Sequence, residues 1–294
     1  MSQVALTASN RRSSARKRAS KSGATWGSPG TYLIATILIA ICIAPVLYII
    51  IGGFRTNSQI TVDPSGFPNP WVLKNYADVL ASQMFWQQFG NSVISAVATT
   101  VGTVSLALMA SYVIARYNFR GRNLMYSLFA AGLMFPLTVA ITPLYLLIKN
   151  IGLANSLLGV ILPQIAFALP MTVIILVPFL AAIPKELEEA AFIDGASRLG
   201  FFFKMVLPLS LPGVITTAIL AFVNAWNSYM LPLFILNEAK MYTLPLGVQA
   251  FGSEHSVDTA AVLAFTSLSM LPALFFFSIF ERRIVGGLSG AVKG

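Results

Sequence analysis

The residues able to do acid–base, metal or nucleophile chemistry are few in this 294-residue chain: ten carboxylates, one histidine and one cysteine. Cys42 sits in the apolar run ILIAICIAPVL, where a thiolate is disfavoured and no base stands nearby in sequence. A single cysteine forms no disulfide within the chain, and a single histidine, His255, assembles no zinc cluster. There is no GxxxxGK[ST] run and no Gly-Lys pair, so the chain has no loop that cradles nucleotide phosphates. These absences predict no catalytic residue, no metal site and no cofactor of its own. The one concentration of acids is Glu186, Glu188, Glu189 and Asp194, in the stretch PKELEEAAFIDGASRLGFFFKMVLPLSLPG from Pro184 to Gly213. Acids so placed suit docking better than hydrolysis.

The elements that must position this stretch are membrane helices. The chain is 56% hydrophobic and 10% charged, with a mean hydropathy of +0.77, too little polar surface for a water-soluble globule. Charge-free apolar segments run over residues 31–52, 89–115, 124–148, 157–183, 212–236 and 259–280. Each is long enough as a helix to cross a hydrocarbon core about 30 Å thick. The expected fold class is therefore all-α, a polytopic membrane protein with six transmembrane helices.

The net charge of +9 has a topological explanation. Fifteen of the nineteen Lys and Arg fall in the N-terminal segment, the second and fourth connections and the tail, whereas Arg55, Lys74, Lys149 and Lys240 alone lie on the other side. The positive-inside rule then predicts both termini in the cytoplasm. Residues 1–30, rich in Ser, Ala, Arg and Lys without apolar periodicity, are expected to be disordered, and no nucleic-acid partner is predicted. The first apolar run exceeds the usual signal-peptide core and reads as an uncleaved anchor.

Pro136 and Pro143 in the third segment, Pro163, Pro170 and Pro178 in the fourth and Pro232 at the end of the fifth each remove an amide donor, so bent or broken helices are expected there. Freed carbonyls at membrane depth must be buried in protein or face a wet cavity, which points to a passage lined by these spans. No span carries an acid, lysine or arginine, which disfavours proton coupling. Within the acidic stretch, Pro184 suits a first helical position, Gly195 a left-handed terminating turn, and Ser197 the N-cap of a second helix expected to stop before Pro208. That second piece is apolar at Leu199, Phe201, Phe202, Phe203, Met205 and Val206; it is too short to cross a bilayer and must dock on something.

Glu189-Ala190-Ala191, Gly195, Met205 and Leu207-Pro208 at their spacing are similar to the EAA signature of permease subunits of binding-protein-dependent ABC importers. Met205 stands where the usual pattern has isoleucine. Ala110-Ser111-Tyr112 with Ala115-Arg116, the FRGR run 119–122, Asn224-Ala225-Trp226-Asn227 and the tail ERRIVGGLSGAVKG carry the likeness over residues 89–294, nearest to the maltose type of carbohydrate importer.

The resemblance implies a coupling-helix loop at 184–213 in which Glu189, Ala190, Ala191, Asp194 and Gly195 contact an ATPase. It divides the chain into residues 1–30, a first transmembrane helix and extracytoplasmic loop at 31–88, and the transporter domain at 89–294 with a cytoplasmic tail at 281–294. It implies a bacterial inner-membrane location and a sugar as solute. The partners it implies are a second, homologous but not identical permease, a dimeric cytoplasmic ATPase that binds ATP and Mg, an extracytoplasmic solute-binding protein, and membrane lipid. Asn224, Trp226, Asn227, Ser228 and Tyr229 are then the candidate substrate path, since amides and hydroxyls bond sugar hydroxyls and an indole stacks on a sugar face. The same residues equally suit helix–helix contacts. The rival readings are an ion-gradient-driven secondary transporter and an ABC permease for a non-sugar solute.

Overall fold

The computed structural model describes the backbone over residues 29–251 and 258–292, and side chains within those ranges except at 250, 251 and 279–292. The regular secondary structure among the described residues is all helical, with no strand. The N-terminal segment expected to be disordered lies outside the described residues, except that helix already begins at Pro29.

The chain divides into two units, residues 1–48 and 49–294. In the first, the described portion is most of α1 (Pro29–Gly52), an uncharged helix with Pro45 inside it. The second unit opens with α2 (Asn57–Val62) and α3 (Lys74–Ala81), short helices in a stretch expected from sequence to be a loop. Arg55, only 3% exposed, organises this stretch by donating to Pro64 O at 3.0 Å, Gln59 O at 2.6 Å and Asp63 O, so carbonyls at the end of α2 hold a buried guanidinium. Tyr76 on α3 donates to Ile50 O at 2.7 Å, and burial raises its pKa.

Next come α4 (Gln83–Arg116), the pair α5 (Arg122–Gly132) and α6 (Leu137–Asn150), and α7 (Leu157–Ala181). One face of α4 carries buried small residues, Ser92, Ala96, Thr99, Thr103, Ala107 and Ser111, spaced three or four apart. Small side chains at that period let two helices approach closely in lipid, and α4 packs principally against α7. The α5–α6 pair bends by 98° at residues 133–136, with Pro136 serving as the N-cap of α6. α7 instead runs unbroken through Pro163, Pro170 and Pro178, held between α4 and α10. Of the expected proline effects in these two segments, the break falls only at Pro136.

After α8 (Lys185–Ile193) the chain enters α9 (Arg198–Phe201), a π-turn at Phe202–Val206 and α10 (Leu207–Trp226). These last three form one helix from Arg198 to Trp226. The expected stop before Pro208 is corrected here, because the wider turn bonds Leu207 N to Phe202 O and so passes the proline without a break. Ser210 Oγ also donates to Val206 O at 2.8 Å. The fifth segment thus starts well before Pro212, ends at Trp226, and is followed by α11 (Met230–Ile235) and α12 (Leu244–Gly247). The final helix, α13 (Thr259–Val292), continues into the expected tail. Five helices among the described residues are long and apolar enough to cross a membrane, and the bent α5–α6 pair passes the same test when taken together.

Candidate functional site

Two places on the second unit bring functional side chains together, and one continuous helix joins them. The first is α8. Its end is closed by Gly195 N donating to Phe192 O at 3.1 Å and Ala196 N to Ala191 O at 2.9 Å, with Gly195 at φ +80°. This paired closure needs a left-handed residue, which glycine adopts without a Cβ penalty. A Cβ on Gly195 would meet nothing within 4 Å, so the turn faces open space. Ser197 then caps α9 by accepting from Gly200 N at 3.1 Å.

Of the five residues assigned to docking, Glu189, Ala190, Asp194 and Gly195 are exposed on this turn. Ala191 is instead 8% exposed and packs in the core with Leu176, Leu180 and Phe201. Exposed apolar side chains extend the open face, Ile193 at 86%, Leu199 at 72% and Phe203 at 61%. Phe201 and Val206 turn inward, and Phe202 lies edge-on to Tyr112 with ring centres 5.0 Å apart. With Met205 also packed there, four of the six apolar residues of the second piece dock on their own chain.

Composition gave no sign of how α8 is anchored. Arg116, the last residue of α4, donates through Nε to Glu188 Oε2 at 3.0 Å, through Nη2 to the same oxygen at 2.5 Å, and through Nη1 to Ile183 O at 2.6 Å. The Arg116 side chain is 3% exposed and that of Glu188 19%. Glu188 is thus committed inside the chain, while Glu189 beside it points to solvent. A basic residue closing an apolar span seventy residues upstream in sequence looked like a topology determinant and carried no hint of this partner.

The second place is a cavity of about 290 Å³ between α4, α6, α7 and α10, lined among others by Thr99, Gln164, Phe167, Thr172, Asn224 and Ser228. Two of the five predicted substrate-path residues, Asn224 and Ser228, line it. The structure does not bring the others there. Trp226 is 3% exposed, stacks on Phe222 at 5.8 Å and approaches Ser269 O at 3.4 Å, so its indole is core packing. Asn227 donates to Val223 O at 3.0 Å, closing the end of α10. Tyr229 OH accepts from Gln249 Nε2 at 2.8 Å. Asn224 and Trp226, two residues apart on α10, point about 200° apart around the helix, and α10 ends at Trp226 before Asn227, Ser228 and Tyr229. Gln164, Thr99 and Thr172 were missed; a glutamine in an otherwise apolar span was the available signal for the first.

At the end of the bundle away from α8, Ser92, Gln88 and Asn91 on α4 bind the 239–244 stretch, through Leu244 N at 2.7 Å, Ala239 O at 3.1 Å and Lys240 O at 2.9 Å respectively. Asn57 joins α2 to the start of α13 through Asp258 Oδ1 at 3.0 Å and Ala260 N at 2.9 Å. Asn155 Oδ1 accepts from Asn237 N and Glu238 N, and its Nδ2 donates to Glu238 Oε1 at 2.7 Å. Hydrogen bonding and charge from Lys240, with help from Asn155, lower the pKa of Glu238. Among the described residues no group of three metal-ligating side chains comes together.

Long apolar helices, a cavity between them with amide and hydroxyl side chains in its wall and a short helix exposed at one end suit a polytopic membrane transport subunit. Residues 104–286 match the family described as binding-protein-dependent transport system inner membrane component. The chain is 36% identical over 251 residues to the diacetylchitobiose uptake system permease protein of Streptomyces coelicolor, covering 85% of this chain and 83% of that one. It is 35% identical over 270 residues to the sulfoquinovosyl glycerol transport system permease protein of Agrobacterium fabrum, covering 91% and 95%. Its fold matches a chain of a bacterial ABC transporter involved in import of the acidic polysaccharide alginate, with TM-score 0.75 at 19% identity over 86% of this chain and 94% of that one. The protein belongs to the permease family of binding-protein-dependent ABC importers, a multi-pass bacterial membrane protein whose family places ATP hydrolysis on a separate subunit.

Proposed function

We propose that this chain is a pore-forming permease subunit that imports a sugar, mono- or oligosaccharide, and couples its passage to a cytoplasmic ATPase dimer holding ATP and Mg. The observation that carries the coupling is the continuous helix from Arg198 to Trp226, which begins at the α8 turn and ends beside the cavity at Asn224 and Ser228. In this reading the exposed Glu189, Ala190, Asp194 and Gly195 seat in a cleft of the ATPase. The carboxylates pair with basic groups there, and Gly195 permits close approach. Arg116 locks α8 to the end of α4, so displacement of α8 reaches both α4 and α10, two walls of the cavity, as a rigid movement.

The sugar assignment rests on the solutes of the relatives, diacetylchitobiose and sulfoquinovosyl glycerol, and on the amides and hydroxyls of Gln164, Asn224, Thr99, Thr172 and Ser228 set in a largely apolar cavity wall. A second permease, homologous but not identical, completes the pore, and an extracytoplasmic solute-binding protein delivers the sugar to the surface that includes residues 53–88 and 237–258. Both termini are cytoplasmic, with fifteen of nineteen basic residues on that side. The division into 31–88, the transporter domain 89–294 and the coupling loop 184–213 follows, and the tail from Gly286 reaches the ATPase interface.

The test is affinity purification from the native membrane, comparing wild type with Gly195→Arg. An ATPase and one further permease should accompany wild type, and a properly inserted Gly195→Arg should lose the ATPase. Absence of any ATPase from both preparations would overturn the proposal and favour an ion-driven carrier. Recovery of this chain as the only permease would overturn the heteromeric pairing.

A further inference from the structure

Gln164 is 7% exposed and lines the cavity, and the two ends of its amide are treated differently. Its Oε1 accepts from Thr99 Oγ1 at 2.8 Å and from Ser95 Oγ at 3.3 Å, while its buried Nε2 has no partner. Several hydroxyls on these helices fold back on the carbonyl four residues earlier, as Thr100 does on Ala96 O, Thr172 on Ala168 O and Thr217 on Gly213 O. That is the default for Ser and Thr inside a helix. Thr99 and Ser95 instead donate to the carbonyl end of the amide, which leaves its NH2 end unpaired. A buried donor left unpaired is costly and rare, so one on a residue that lines a cavity points to a ligand that accepts from it.

Asn224, on the same cavity, supplies the complementary group. Its Nδ2 donates to Leu220 O at 2.9 Å, which leaves Oδ1 as the accepting end. A free donor on α7 and a free acceptor on α10 are matched by hydroxyl groups, which both accept and donate. No residue lining the cavity is ionisable. A carboxylate or sulfonate brought against this wall would lose its hydration with no cation in exchange, which strongly disfavours it.

Resting on the sugar-importer reading, we infer that Gln164 is a solute-contacting residue that makes this chain's wall selective for neutral polyhydroxy solutes, with Thr99 and Ser95 as its positioning residues. Turning of the amide uncovers Nε2, which then donates to a solute hydroxyl as the solute passes Asn224. Uncharged sugars are favoured over uronates and sulfonated sugars, although one relative carries sulfoquinovosyl glycerol in its name.

The test uses the complete transporter in proteoliposomes with labelled probes: glucose, maltose, trehalose and diacetylchitobiose as neutral sugars, glucuronate and sulfoquinovosyl glycerol as anionic ones. Wild type should take up at least one neutral probe and neither anion. For the transported sugar, one monodeoxy analogue should be taken up at least tenfold more slowly, and Gln164→Leu should abolish that discrimination while retaining the ATPase. Loss of discrimination reports a contact, whereas a structural role would slow all probes alike. Should Gln164→Leu fail to assemble, Asn224→Leu, at an exposed position, must remove a deoxy discrimination instead. Unchanged discrimination in an assembled Gln164→Leu transporter overturns the contact and leaves the importer reading standing. Uptake of an anion in preference to neutral sugars overturns the solute class. Uptake of no sugar by a wild-type complex that retains its ATPase removes the sugar reading, and this inference with it.

Discussion

Breaking the Arg116–Glu188 pair should uncouple α8 from the rest of the molecule. The pair is nearly dry at the arginine and one-fifth exposed at the glutamate, with 3% and 19% side-chain exposure. Removing one partner of a buried pair costs about 3–5 kcal/mol, and the partial exposure of Glu188 places this one near the low end, about 3 kcal/mol. Over a unit of this size, about 2–4 °C per kcal/mol predicts that Arg116→Met lowers the thermal midpoint by roughly 6–12 °C. Glu188→Leu should do the same, since it strands the guanidinium with only Ile183 O as acceptor. The double variant leaves no uncompensated charge, so it should be far less damaged than the sum, with a coupling energy of about 2 kcal/mol or more. The assay is fluorescence-detected melting of the detergent-solubilised complex, with ATPase retention scored on the same samples. A midpoint for Arg116→Met within about 2 °C of wild type, or strictly additive single variants, would refute the reasoning.

Ser197→Ala removes the cap on α9 and should cost about 1 kcal/mol, with the first turn after Arg198 exchanging its amides faster by hydrogen–deuterium exchange. Gly159→Ala drives a Cβ against Leu153 O, a backbone atom with no rotamer to escape to, and should destabilise by about 1–3 kcal/mol in the same melting assay. Gly102→Ala meets only the flexible tip of Ile165 and should be milder, so the pair separates backbone from side-chain crowding. Because the folded state lowers the pKa of Glu238, the stabilisation it brings is present above the ordinary glutamate range and is lost as pH falls through the depressed value. Acidification there should loosen the junction of the 151–156 and 236–240 stretches, seen as faster exchange, and Glu238→Gln should remove that pH dependence.

Much of the fold is legible from hydropathy, because lipid forces each spanning segment to be long, apolar and free of charge. The start of α1, the extents of α7 and α13's beginning follow almost to the residue. The fifth segment misled for a physical reason: Pro208 reads as a helix stop, but the turn before it is a widened π-turn, with Leu207 N bonding five residues back to Phe202 O, and the helix continues past the proline ring. At the α8 turn, Gly195 and Ser197 announce their roles through local backbone chemistry, which depends on neighbours in sequence and is therefore readable there.

The sequence by itself determined the membrane class, the family signature at 189–208, the missing nucleotide site and the turn between α8 and α9. Only the tertiary structure decided that Ala191 and Trp226 face the core, that Arg116 holds Glu188, and that Gln164 rather than Trp226 lines the cavity. Those facts depend on which face of one helix meets another some seventy residues away in the chain. Apolar spans advertise that they are buried but not against what, since lipid and protein neighbours reward the same side chains.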